Sequence, residues 1–268
     1  MKLSLISLII INVLFISCNG KDQSKENTTS FQNKGHELVY EMVQKVGNYS
    51  TLAKNKDVVY SYKYQTPDGK ADLSTEKYIF DGELSYGVYQ PHERTLPDLE
   101  GPIEQGYDGK EFWLKHKGEI INDATSLKRV AFNRPTNFYW FTMFQKLLDP
   151  GLNYEHIGEK TINDIAYDIV KITFDSAGEK LTDIYQLYIN KDTQLVDQFL
   201  FTVVEVGVIE TPMLMKLQYE QIDGLFIPTK RRYKKSTWEA EVTDEPWIMV
   251  DWSNIKFNND ISRDLFKK

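Results

Sequence analysis

Asp57-Val58-Val59-Tyr60-Ser61-Tyr62-Lys63-Tyr64-Gln65 is where the chain changes its period to two. Val58, Tyr60, Tyr62 and Tyr64 fall on one side of an extended strand, and Val59, Ser61, Lys63 and Gln65 on the other. The aromatic set predicts the face turned to a core. Pro67-Asp68-Gly69-Lys70 then reads as a turn, 73–80 as the partner strand, Asp81-Gly82 as a second turn and 84–89 as the return. That is an antiparallel meander. Upstream, 36–46 carries Leu38 and Met42 with Val39, Val43 and Val46 at spacings of three and four, followed by Gly47. This predicts one amphipathic helix with a glycine cap.

Working outward, 91–102 is a loop rich in proline and glycine, and Asp108-Gly109 joins two short aromatic strands as a hairpin. Residues 124–148 form the second helical region. Pro135 is expected to break or kink it, because the residue before a proline is disfavoured in helical angles. Its second half places Trp140, Phe141, Phe144, Leu147 and Leu148 on one stripe, widened by Tyr139 and Met143. Strands then follow over 154–160, 167–174, 183–189, 195–206, 213–221, 226–233 and 247–257, with turns at Asn163-Asp164, Lys191-Asp192 and Asp223-Gly224. About ten to twelve strands with two helical pieces predict a mainly β, α+β protein: one antiparallel sheet curled on itself, not a parallel α/β fold.

Three stretches carry a resemblance. Tyr107-Asp108-Gly109-Lys110-Glu111-Phe112-Trp113-Leu114 resembles the hairpin that precedes the lid helices of LolA, LolB and related periplasmic lipid-binding proteins. Asn163-Asp164-Ile165-Ala166-Tyr167-Asp168-Ile169-Val170 resembles the strand pair after them, and Asp223-Gly224-Leu225-Phe226-Ile227-Pro228-Thr229-Lys230 a later strand. The resemblance covers roughly 36–257, and it is closest to uncharacterised lipoproteins of that fold. It implies an incomplete β-barrel that wraps a helical lid or plug and holds acyl chains between them.

The first residues speak to location. Met1-Lys2 is a short cationic start, and Leu3 to Ile16 is almost wholly apolar. The run is too short for a membrane span of about 20 residues and fits a secretory signal. Leu14-Phe15-Ile16-Ser17-Cys18 resembles the bacterial lipoprotein signal, which implies cleavage before Cys18 and lipid attachment there. Cys18 is the one cysteine of the sequence, so no intrachain disulfide can form. Residues 1–17 are therefore expected to be a signal peptide, 18–34 a polar lipidated tether and 35–268 the folded domain, with the protein in the cell envelope, most simply at the outer membrane facing the periplasm. A net charge of −7 argues against nucleic acid as a partner.

Catalytic motifs are missing. There is no Gly-rich phosphate loop and no G-x-S-x-G elbow. His36, His92, His116 and His156 are scattered. His92, Glu93, Asp98 and Glu100 share one loop that could be weighed for calcium, but it reads as a solvated acidic loop. Asp175-Ser176-Ala177 resembles a short bacterial O-glycosylation motif. No metal, cofactor or catalytic residue is therefore assigned. The 139–148 stripe is open to two readings: a lid whose Tyr139, Trp140, Phe141, Met143, Phe144, Leu147 and Leu148 line an acyl-chain cavity, or a plug that fills the barrel. Lys230, Arg231 and Arg232 lie in the most basic run, Lys230–Lys235; on a strand its charges fall on both faces, which suggests an edge or protruding strand, where they either meet anionic headgroups or blunt a sheet edge against aggregation. The expectation is a monomeric envelope lipoprotein, membrane-attached through Cys18, that binds a lipid or lipoprotein acyl chain without catalysis. The alternative is an interaction lipoprotein with a self-filled barrel.

Overall fold

The structure is a computed structural model that describes residues 30–176, 178 and 180–268. The expected signal peptide, Cys18 and most of the expected tether lie outside the described residues, as does Ala177 of the Asp175-Ser176-Ala177 motif. Near the start of the described chain Phe31 packs on the rings of His36 and Tyr40. Helix α1 (Lys34–Val46) starts at Asn33, whose side chain accepts from the His36 amide at 3.0 Å. Such a cap satisfies one of the amide groups that a helix leaves open. A one-turn helix, α2 (Tyr49–Ala53), follows.

The first meander is β1 (Asp57–Gln65), β2 (Ala71–Ile79), β3 (Leu84–His92), β4 (Ile103–Tyr107), β5 (Phe112–His116) and the short β6 (Glu119–Ile120). The second is β7 (Leu152–Ile162), β8 (Ile165–Phe174), β9 (Ile184–Asn190), β10 (Val196–Val203), β11 (Val208–Ile222), β12 (Leu225–Lys235) and β13 (Ile248–Phe257). Antiparallel pairing of β13 with β1 joins the two into one sheet, in the order β6-β5-β4-β3-β2-β1-β13-β12-β11-β10-β9-β8-β7. The sheet has thirteen strands among the described residues, slightly more than expected, and its ends, β6 and β7, do not pair. It is a half-barrel, open along one side.

Helix α3 (Ala124–Thr142) and a 3₁₀ turn at Met143–Lys146 carry the chain from one free edge to the other. That crossing lays the second helical region against the concave face. Pro135 does not end the helix, which runs unbroken through Thr142. A proline inside a helix costs about 3 kcal/mol, and the buried neighbours outweigh it. Arg134 and Phe138 are both sealed under the sheet.

Two apolar clusters fill most of the concave side. In one, Val39, Met42, Val43 and Val46 of α1 meet Phe144, Leu147 and the inward residues of β8 to β11. In the other, Phe138 and Phe141 of α3 meet Val58, Tyr60, Tyr78, Ile227 and Trp252. The face of β1 expected to point inward does so. Trp238 and Trp247, in the loop between β12 and β13, cover outward residues of β8 to β11. The hairpins sit where the turn residues place them: Asn163 and Asp164 at φ 49° and 65°, and Asp223 and Gly224 at φ 49° and 81°, each pair between strands in register. Two residues with positive φ are what a two-residue hairpin turn requires. One expectation fails. β12 is not an edge strand, since it is paired on both sides, by β11 and β13.

Candidate functional site

Helix α3 has two working faces. Val130, Arg134, Phe138 and Phe141 are buried toward the sheet. Arg129, Phe132, Asn133, Thr136, Asn137 and Trp140, spaced by three and four, turn to a cavity of about 390 Å³. Spacings of that kind share one side of a helix. The facing wall comes from the sheet: Tyr62 and Tyr64 of β1, Phe201 of β10, Met213 of β11, Tyr233 of β12 and Trp252 of β13. Ile248, Val250, Val203 and Val208 complete the apolar part. The exposed wall residues, Arg129 and Val206, mark the mouth; Val206 is 57% exposed. The volume lies within the range of about 300–1,000 Å³ usual for ligand pockets, and the walls are mostly aromatic and aliphatic with a few polar groups.

The helix is pinned over this cavity by a buried ion pair. Arg134 Nη1 donates to Glu76 Oε2 at 2.8 Å, and neither side chain is exposed at all. Arg134 Nη2 donates to the Tyr89 hydroxyl at 2.7 Å, and Ser74 and Tyr78 donate to the Glu76 carboxylate. Burial opposes the charge of Arg134, but Glu76 and the surrounding groups together hold its guanidinium above its ordinary range. An ion pair this deep needs such further hydrogen bonds to offset its desolvation; here Arg134 Nε alone of the pair's polar atoms is buried without a partner.

A second buried arginine borders the cavity. Arg231 is 2% exposed and lies inward on β12, while Lys230 and Arg232 are exposed on the other face. Its Nη2 donates to the Trp140 carbonyl at 2.8 Å and its Nε to the Pro228 carbonyl at 3.2 Å. The guanidinium carbon sits 3.8 Å from the centre of the Trp252 ring and 5.6 Å from that of Trp140. Arg94 also lines the cavity, over the Tyr64 ring at 3.8 Å and 3.5 Å from Asp72. Asp72 is occupied further by the amides of Arg94 and Thr95 and the Thr95 hydroxyl.

Of the seven stripe residues expected to line a cavity, the structure puts Trp140 on its wall. Phe141, Met143, Phe144 and Leu147 are buried in the two clusters, and Tyr139 and Leu148 pack against the larger of them. The hollow therefore lies about two turns nearer the helix start than the aromatic stripe suggests. The three basic candidates are split, Arg231 inside and the other two outside. His92 is a loop staple: Nδ1 lies 2.9 Å from the Thr95 carbonyl oxygen and Nε2 2.7 Å from that of Gly101. Among the described residues no group of three His, Cys, Asp or Glu is arranged to hold a metal. The residues missed from sequence are Phe132, Asn133, Thr136 and Asn137. Their spacing was readable, but two amides and a hydroxyl look like a solvent face.

An open antiparallel half-barrel with its helices on the concave side defines a LolA-like fold. Solved structures share it. A putative outer membrane lipoprotein-sorting protein domain from Vibrio parahaemolyticus aligns with a TM-score of 0.52 at 10% identity, over 87% of this chain and 96% of that one. A DUF1329 family protein from Desulfovibrio piger aligns with a TM-score of 0.51 at 17% identity, over 87% and 95%. Below the overlap of those two, a LolA superfamily protein from Nitrosomonas europaea gives a TM-score of 0.49 at 14% identity, over 86% of this chain and 97% of that one. At these identities the likeness is one of fold. Residues 111–209 match the model of a family of unknown function, DUF6503. No curated protein matches the sequence.

Proposed function

We propose that this protein is a cell-envelope lipoprotein, anchored through Cys18, that holds a hydrophobic ligand in the cavity beneath α3 and performs no catalysis on it. The ligand class is a lipid or the acyl chain of a lipoprotein. The observation that carries the reading is the cavity itself: about 390 Å³, aromatic on both walls, in a sheet that stays open along one side. A filled scaffold of this size has little reason to keep such a void, since interiors pack to the density of organic crystals. In this reading residues 1–17 are the signal peptide, 18–34 the lipidated tether and 35–268 the binding domain, which acts as a monomer. The outer membrane facing the periplasm is its place. That the Vibrio parahaemolyticus relative is described as an outer membrane lipoprotein-sorting domain supports this. Lys230 and Arg232, exposed on the convex face, are positioned for anionic headgroups.

The second reading, an interaction lipoprotein with a self-filled barrel, draws on the packing of Phe141, Met143, Phe144 and Leu147 as core. Native mass spectrometry in detergent-free buffer on the full chain carrying C18S, followed by organic extraction, separates the two. A lipid co-purifying in stoichiometric amount is the expected result. A bare protein mass, together with no uptake of a neutral fluorescent apolar probe, would favour the filled scaffold.

A further inference from the structure

Among the described residues two arginines are sealed from water, and they are treated differently. Arg134 meets a carboxylate. Arg231 meets carbonyl oxygens and indole faces, and its Nη1 has no protein acceptor among the described residues. The ionisable groups that act on it are Tyr219, Tyr60, Tyr62 and Tyr78. Burial pushes all four hydroxyls up, so none supplies a counter-charge at neutral pH. Burial also holds the Arg231 guanidinium down, to about 10, which still leaves it charged near pH 7. A buried cation without a counter-ion is costly, and methionine or leucine would fill the same space without that cost. The indole faces of Trp252 and Trp140 offset part of it. They leave one nitrogen of the guanidinium, Nη1, without an acceptor.

A second donor waits beside it. Trp252 Nε1 is buried without a partner, and its ring lies against the guanidinium. Both residues line the same cavity. Two unmet donors, one of them charged, call for acceptor oxygens that bear negative charge. The carboxylate on the cavity wall, Asp72, is already engaged by Arg94 and Thr95. Close by, the walls add the Tyr62 hydroxyl, which burial keeps neutral, and the apolar surface of Phe201, Met213, Ile248 and Val250, none of them a counter-charge.

We propose that the cavity selects a single-chain anionic amphiphile, with its carboxylate or phosphate bound by Arg231 and the Trp252 indole N–H and its chain along the apolar walls. This rests on the reading of the cavity as a ligand site, and it adds which end of the ligand is recognised and by what charge. The volume suits one chain with a compact head better than a two-chain lipid.

The test is displacement of the neutral fluorophore N-phenyl-1-naphthylamine from the full chain carrying C18S, below the micelle concentration of each competitor. The competitors share a twelve-carbon chain: dodecanoate, dodecyl phosphate, dodecanol and dodecyltrimethylammonium. Inorganic phosphate and acetate stand as headgroups without a chain. Dodecanoate or dodecyl phosphate should compete about 10- to 100-fold better than dodecanol, the range for a charge-assisted hydrogen bond formed out of water. Whichever of the two is stronger tells carboxylate from phosphate. The free anions should not displace the probe. In Arg231→Met the preference for the anions over dodecanol should shrink to about twofold or less, and Arg231→Lys should keep part of it, since charge remains without the forked geometry. If dodecanol competes as well as the anions, the inference is overturned and the ligand cavity stands. Should the wild-type preference survive in Arg231→Met, the assignment to Arg231 is overturned. If the probe and every long-chain competitor fail to bind, the ligand reading itself fails and this inference with it. The wild-type series decides the main point even if the methionine variant does not fold.

Discussion

Gly87 on β3 shows how much of the architecture hangs on one residue pair. A Cβ at Gly87 would lie 2.6 Å from Arg134 Nη1 and 2.9 Å from Glu76 Oε1. The glycine is there because the ion pair crosses its strand at backbone distance. Gly87→Ala should therefore act like loss of the pair. Glu76→Gln should do so directly, leaving Arg134 buried and uncompensated, at a cost of about 3–5 kcal/mol. Urea unfolding of each variant measures this. A double variant, Glu76→Met with Arg134→Met, should recover much of the loss, because the charge left unpaired in the single variant is gone. If Glu76→Gln unfolds at the wild-type urea midpoint, the pair does not pin α3. Little of this was legible beforehand. A glutamate on an alternating strand and an arginine before a proline each look like surface residues, and only the fold brings them within 2.8 Å.

At the scale of elements, the strands were readable because their signals are local. Val58, Tyr60, Tyr62 and Tyr64 state a face by period alone, and Asn163-Asp164 and Asp223-Gly224 state hairpins by their backbone preference. The character of β12 was not readable. A strand with Lys230, Arg231 and Arg232 in succession must turn at least one of them inward. At an edge that residue could reach water around the rim, yet the structure has β12 central with Arg231 sealed inside. For α3 the strong aromatic stripe drew attention from a weaker amphipathic one. Helix stripes of large apolar residues are core first, and the cavity face is the mixed one carrying Asn133, Thr136 and Asn137. The two faces should separate under mutation. Phe144→Ala, in the packed cluster, should cost about 3–5 kcal/mol of stability, the usual range for deleting a buried phenylalanine. Probe affinity at a temperature where the variant is folded should change little. Thr136→Phe should do the reverse, filling the hollow and weakening probe binding with a small effect on the urea midpoint. Equal loss of binding in both would mean that cavity and core respond as one.

At the scale of the molecule, the proposed lipid anchor and the folded domain's surface charge make different demands on membrane binding. Among the described residues no helix is long and apolar enough to cross one. The net charge of −7 repels an anionic surface as a whole. The convex face does gather cations: Lys216, Arg232 and Lys234 all lie within 6 Å of the Trp247 ring centre. Crowding is visible in Lys216, whose ammonium is held below the ordinary lysine range by burial and by its neighbours Arg232 and Lys234. Each basic side chain near an anionic surface contributes about 1 kcal/mol, and salt removes it. Lipid chains at Cys18 would contribute about 0.8 kcal/mol for every buried methylene, and two or more chains give stable attachment that salt does not touch. The proposed anchor and the basic patch therefore predict different fractionation. Wild-type protein should stay with membranes through a high-salt wash. Cys18→Ser should leave them in that wash, with at most a salt-sensitive residue in the pellet at low ionic strength. A Cys18→Ser protein that remains membrane-bound at high salt would remove the lipid anchor from this account and shift attention to the folded domain's own surface.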